Sequence, residues 1–169
     1  MDSPSPRVAV SGAEHRDDAL PPLHAEILQH ARAAARRDGL PYAGILEPED
    51  AWELFVAGTA ELVDVRTQEE LRCVGRVPNA AHAAWQLGAA RSKNPRFLKE
   101  LGNCVSKDAV VLLLCRSGKR SAAAAEAATR AGFLHVFNVR EGCEGDQELA
   151  PGRAANSGWR QRGLPWVQG

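Results

Sequence analysis

The stretch AVVLLLCRSGKRS, Ala109 to Ser121, decides how this chain folds. After its first residue, Ala109–Leu114 is branched aliphatic without alternation, the pattern of a strand covered on both faces and so of the centre of a parallel sheet. The polarity then changes at once. Cys115-Arg116-Ser117-Gly118-Lys119-Arg120 is a six-residue polar loop with a glycine inside it, and Ser121 opens an alanine-rich helix to Ala131, stopped by Gly132. A thiol is thereby held between the end of a buried strand and a helix N-terminus. Successive N–H groups of such a loop form an anion cradle to which the helix dipole adds. The same field favours thiolate over thiol, and Arg116, Lys119 and Arg120 add three cations within five residues. Cys115 is therefore expected to be a reactive nucleophile.

Working outward, strands and helices alternate. Pro48 opens a helix carrying Trp52, Leu54 and Phe55 and closed by Gly58; Glu61–Val65 is a short strand; Thr67 with Glu70 forms a capping box for a short helix. Ala80–Ala84 is a weaker strand candidate, Pro95–Leu101 a helix with Phe97, Leu98 and Leu101 on one side, and Val136–Val139 a further strand. This alternation predicts an α/β fold, an open parallel sheet of about five strands with helices on both faces and ligands outside the strands' carboxyl ends. Before it, residues 1–21 read as a poorly ordered arm. Leu23, Ile27, Ala31 and Ala34 mark one amphipathic helix, stopped by Gly39 and Pro41. Its apolar stripe is thin, so it is expected to dock onto the main domain or to form a homodimer with a second subunit. The expected division is an N-terminal extension of residues 1–40 and a catalytic unit of residues 41–169 able to fold by itself.

Composition narrows the partners. Lysine plus arginine and aspartate plus glutamate number 21 each, so the net charge is zero, which argues against nucleic-acid and anionic-membrane binding. The longest apolar run, Ala109–Cys115, is far below the roughly 20 residues that span a bilayer. Asp2, Glu14, Asp17 and Asp18, with no apolar block beside them, fit neither a secretory leader nor a transit peptide, so a cytoplasmic protein is expected. Cys73, Cys104, Cys115 and Cys143 show no metal-ligand spacing; no metal and no cofactor are expected.

These motifs resemble those of the rhodanese domain, a sulfurtransferase fold. CRSGKRS, Cys115 to Ser121, is similar to the family's active-site loop almost letter for letter, and Asp64-Val65-Arg66 matches its D-V-R. Gly75-Arg76-Val77-Pro78-Asn79-Ala80 stands for the family's G-H-I-P-G-A, departing at Arg76 and Asn79. The family's glycine pair after the last strand is interrupted as Glu141-Gly142-Cys143-Glu144-Gly145. The likeness runs from about Ile45 to Trp166, including a tail with Gly158-Trp159-Arg160 and Gly163-Leu164-Pro165-Trp166. It implies that Cys115 takes the outer sulfur of thiosulfate as a persulfide and passes it to cyanide or a thiol. Arg116, Ser117, Gly118, Lys119, Arg120 and Ser121 would bind this small anionic donor, and Arg116 and Lys119 would favour dianionic thiosulfate over 3-mercaptopyruvate.

Two other readings share the loop. Protein tyrosine phosphatases use Cys-x5-Arg to clamp a phosphate, whereas Arg120 here gives Cys-x4-Arg, a loop one residue short, which disfavours a phosphatase or arsenate reductase. Non-catalytic interaction modules of the family typically lose the cysteine that is present here. Cys73 and Cys104 are expected to be packing residues. Cys143 stands on the same sheet edge as Cys115, where it would receive sulfur from it or pair with it. His82 is read as structural or exposed, and Trp52, Trp85, Trp159 and Trp166 as packing.

Overall fold

Along Val110–Leu114 every residue is buried, and successive side chains enter opposite cores: Val110, Leu112 and Leu114 one, Val111 and Leu113 the other. This is the two-faced burial that the uninterrupted aliphatic run predicts. The computed structural model describes residues 17–145 and 157–168. In chain order the elements are α1 (Pro22–Asp38), β1 (Gly44–Leu46), α2 (Pro48–Val56), β2 (Glu61–Asp64), α3 (Gln68–Val74), β3 (Ala81–His82), β4 (Gln86–Leu87) and β5 (Ser92–Lys93). Then follow α4 (Phe97–Cys104), β6 (Val110–Leu114), α5 (Lys119–Arg130) and β7 (His135–Val139).

The main sheet has five parallel strands in the order β1-β7-β6-β2-β3, with β6 at its centre. Leu28 and Ala31 of α1 and Ala51 and Leu54 of α2 cover one face, and Phe97 and Leu101 of α4 with Ala124, Ala125 and Ala128 of α5 cover the other. The expected α/β class with helices on both faces is thus the observed one. Of the run Ala80–Ala84 only Ala81–His82 pairs with the sheet. The antiparallel ribbon β4–β5 was not anticipated, because Gln86, Leu87, Ser92 and Lys93 carry no apolar alternation.

α1 docks within the chain, one position round from the expected stripe. Its buried residues are His24, Leu28, Ala31, Arg32 and Ala35, while Leu23 is 56% exposed. Two polar residues thus lie on the inner face, which an apolar pattern could not register. His24 sits 2.7 Å from Thr59 Oγ1, and Arg32 donates to both oxygens of the buried Asp17 at 3.0 and 3.3 Å while stacking over Phe137. The approach to β1 is close: a Cβ on Gly44 would stand 2.8 Å from the Ala31 carbonyl oxygen. Residues 1–16 of the expected arm lie outside the described residues.

One core joins Leu28 and Ala31 to Leu46, Leu112 and Phe137, so it continues across residue 40. Leu28→Ala should cost about 2–5 kcal/mol, as for other buried leucines, and removal of residues 1–40 more than that. Thermal unfolding of the truncated chain should show a clearly lower Tm; an unchanged Tm would mean that α1 adds nothing to this core.

Candidate active site

β6 delivers Cys115 to the carboxyl edge of the sheet, fully buried at the base of the loop. The helix that follows starts at Lys119, two residues earlier than expected, so the loop proper is only Cys115–Gly118. Gly118 adopts φ 95°, a conformation that disfavours any side chain. It turns its N–H back to Cys115 Sγ at 3.1 Å, and the Ser121 hydroxyl lies 3.2 Å from the same sulfur. The N-cap N–H of α5 therefore points at Sγ, with a hydroxyl from the first turn of the helix within reach of the same atom, an arrangement suited to negative charge there.

The turn after β7 binds the outer side of the loop. Cys143 N–H donates to the Cys115 carbonyl at 2.8 Å and Glu144 N–H to the Arg116 carbonyl at 2.9 Å. Here Gly142, at φ 60°, leaves no room for a Cβ, which would strike the Cys115 carbonyl oxygen and the Arg116 carbonyl. Glu141 precedes it at φ 65°. The interrupted glycine pair thus keeps two successive left-handed residues with glutamate in the first place. That strain, about 1–2 kcal/mol, is offset by bonds from Gly158 N–H at 2.7 Å and from Arg162 at 3.2 Å to the Glu141 carboxylate.

Both loop arginines are paired. Arg116 Nε donates to Glu144 at 2.7 Å, Arg120 makes a two-pronged bond to Glu70 at 2.8 and 2.7 Å, and Lys119 also has a partner. Ser117 is half-buried. Glu70 completes the predicted capping box, accepting from Thr67 N–H at 2.9 Å while its own N–H donates to Thr67 Oγ1 at 3.3 Å. Arg91, in the turn of the β4–β5 ribbon, reaches Glu70 at 3.8 Å. Burial raises the Glu70 pKa, but the bonds from Arg120 and Thr67 outweigh it and hold the carboxyl at about 2.

Asn138 is the site residue that pattern reading missed. It is a polar side chain in an otherwise apolar strand, and it donates to the Gly118 carbonyl at 3.0 Å while accepting the Ser121 hydroxyl at 2.5 Å. A lone asparagine inside HVFNV was the available signal. Behind the loop Arg66 is buried, bonded to Asp64 at 2.7 Å and to the Gly75 carbonyl at 2.8 Å, with the Trp166 ring over it. His82 Nε2 lies 2.8 Å from the Arg66 carbonyl, a structural tie.

The other cysteines separate. Cys73 and Cys104 are exposed, contrary to the packing role expected for both; Cys73 is on the outer side of α3 and Cys104 at the end of α4, 3.6 Å from the His82 carbonyl. Cys143 is buried in the core opposite the one that holds Cys115, and burial pushes its thiol up to about 12. Its backbone, rather than its sulfur, serves the loop. Trp159 is fully buried, and Trp166 Nε1 donates to the Val74 carbonyl at 3.1 Å. Among the described residues no group of three or more His, Cys, Asp or Glu is placed to hold a metal, and no helix is long and apolar enough to cross a membrane.

A cysteine under inward-facing donors, at the carboxyl end of the central strand of such a sheet, defines a thiol-centred α/β domain. Residues 47–148 match the rhodanese-like domain family, and the chain belongs to that family. It is 33% identical over 123 residues to an uncharacterized RP600 homolog of Rickettsia rickettsii, covering 69% of this chain and 90% of the relative. The crystal structure of Rv0390 from M. tuberculosis is 38% identical with a TM-score of 0.65, over 76% of this chain and 99% of that one. The polysulfide-sulfur transferase homodimer of Wolinella succinogenes shares the fold at 20% identity and a TM-score of 0.54, over 87% and 88% of the two chains.

The Glu70 pairing carries a pH signature. A carboxyl whose folded pKa is lowered from 4.5 to about 2 stabilises the fold above pH 4.5 and loses that contribution as pH falls toward 2. Glu70→Gln should therefore cost about 1–3 kcal/mol at neutral pH, with the gap to the native protein closing across that window. Denaturant unfolding at stepped pH measures it, and a gap that stayed constant down to low pH would show that the ion pair is not its source.

Proposed function

We propose that the protein is a sulfurtransferase that moves sulfane sulfur from thiosulfate to cyanide or a thiol through a persulfide on Cys115. The observation that carries this reading is the Gly118 N–H turned onto Cys115 Sγ, with the Ser121 hydroxyl within reach of the same sulfur and the Arg120 fork turned away onto Glu70. A phosphatase loop needs its arginine free to grip two phosphoryl oxygens. Here that fork is already filled by a carboxylate, so phosphoester chemistry is the weaker reading. The same holds for arsenate reduction, whose oxyanion would need the same grip.

In the reaction the Cys115 sulfur attacks the outer sulfur of thiosulfate. The new S–S bond forms as the S–S bond of thiosulfate breaks, and sulfite leaves with the electron pair. The persulfide is then attacked at its outer sulfur by cyanide, which departs as thiocyanate, or by a thiolate, and Cys115 is released as thiolate. The loop N–H groups serve both halves, because negative charge returns to the same place each time. The chain's own thiols and its balanced charge suit a reducing cytoplasm, with small molecules as partners.

Two measurements test this reading. After incubation with thiosulfate the intact mass should rise by one sulfur, with Cys115→Ser unmodified and inactive in thiosulfate:cyanide transfer, while Cys73→Ser and Cys104→Ser keep most activity. Full activity in Cys115→Ser would overturn the mechanism. Separately, Glu144→Gln should release Arg116 toward the donor and lower KM for thiosulfate about two- to fivefold, the scale of one exposed ion pair, with kcat little changed. A KM that did not move would show that Arg116 does not meet the donor.

A further inference from the structure

The Ser121 hydroxyl has one proton and two acceptors. Asn138 Oδ1 lies 2.5 Å from it and Cys115 Sγ 3.2 Å, both at bonding length for their elements. The amide cannot be turned over. Its Nδ2 donates to the Gly118 carbonyl at 3.0 Å, and the reversed orientation would set oxygen against oxygen there, so Oδ1 faces Ser121. The strand register makes the meeting unavoidable. Asn138 pairs with Leu113, whose side chain enters the same core as Cys115 two residues on, so Asn138 stands directly under the loop. Tyr42, just ahead of β1, is near enough for the Asn138 side chain to act on its phenol.

We propose that Asn138 is a positioning residue that competes with the Cys115 sulfur for the Ser121 proton, and so sets how readily that sulfur becomes anionic. With the sulfur protonated, Ser121 donates to Asn138 and its oxygen is free to accept from the thiol. When the sulfur is anionic, as the thiolate or as the persulfide, Ser121 donates to sulfur and Asn138 Oδ1 gives up that bond. Forming the anion therefore breaks a short buried hydrogen bond, and the resting thiol is favoured by that amount. The inference rests on Cys115 as the nucleophile, but its readout needs no sulfur transfer.

Among the described residues, the other charged and titratable groups near the sulfur include Lys119, Arg120 with Glu70 behind it, Arg116 with Glu144, Cys143 with Asp64 and Arg66, and Tyr42 with Arg140 and Glu126. None of them is substituted, and whatever Asn138→Val does to Tyr42 is the same with and without Ser121 and cancels in the comparison.

The test is a double-mutant cycle on the ultraviolet titration of the thiolate in the full chain carrying Cys73→Ser and Cys104→Ser. Cys143, held at about 12, stays silent through the neutral range. Ser121→Ala should raise the Cys115 midpoint, because sulfur loses a donor. Asn138→Val should lower it relative to its effect in the Ser121→Ala background, by about half to one pH unit, the scale of one hydrogen bond. Any change transmitted through the freed Gly118 carbonyl persists without Ser121 and cancels in the comparison. Asn138→Asp keeps the shape and strengthens the competing acceptor, so it should raise the midpoint. Equal shifts for Asn138→Val with and without Ser121, or a lowered midpoint in Asn138→Asp, would overturn the proposal. Failure of the Cys115→Ser mass and activity assays would instead overturn the sulfurtransferase reading and leave this coupling standing.

Discussion

The bonds from Cys143 N–H to the Cys115 carbonyl and from Glu144 N–H to the Arg116 carbonyl fix which way the Cys115 loop faces. A peptide plane has two sides, and once its carbonyl is held outward its N–H must point inward. These bonds come from the turn that follows β7, not from further strand pairing, so the turn at the sheet edge orients the cradle. The two left-handed residues Glu141 and Gly142 let the chain after β7 stay that close, and Gly118 lets the loop return one N–H to the sulfur. Replacing any of these with a conformation that carries the carbonyls inward would put negative dipoles on Cys115 and invert the field that the site needs.

A single carboxylate then joins this loop to the rest of the edge. Glu70 closes the capping box of α3 and, through Arg120, holds the first turn of α5, so the two helix starts are locked to each other. Because those two elements follow different strands, β2 and β6, the pair crosses the sheet edge where the substrate would sit. Arg91 brings the β4–β5 ribbon to the same group. The result is a network rather than an isolated surface pair, and such networks resist the solvent screening that makes single exposed pairs nearly neutral.

The fold was legible in the sequence to the extent that it rested on burial. The aliphatic run at β6, the capping box at Thr67 and Glu70, and the alanine face of α5 all announce themselves through periodicity or local chemistry. What failed to show was whatever depended on a partner distant in the chain. Arg32 looks like a solvent residue until Asp17 and Phe137 are known to flank it, and Arg116 and Arg120 look like a free basic rim until Glu144 and Glu70 are placed beside them. Asn138 is the same case inside the site: one polar letter in a strand has no meaning until the register sets it under Ser121. The exposure of Cys73 and Cys104 is the converse, since a small residue near apolar neighbours reads as buried whichever way its side chain turns.

Paired cations change what the loop can select. An unpaired arginine or lysine attracts any anion from a distance of about a Debye length, roughly 8 Å at physiological salt. An ion pair presents a dipole whose field falls off faster. The fixed donors on Cys115, by contrast, act only at contact and only along their own bond directions. On the proposed sulfurtransferase reading, discrimination would pass from long-range attraction to fit: a donor would gain from the loop by setting its sulfur on the Cys115 axis, whereas a tetrahedral phosphoryl group, which needs several oxygens held at once, would find the Arg120 fork occupied. Full burial of Cys115 sharpens this, because donors in a water-excluded pocket are stronger toward charge than the same donors in solvent. The sulfur is thus kept at a place on the sheet edge where backbone geometry favours a negative charge, and where the paired arginines govern the loop's shape more than its attraction.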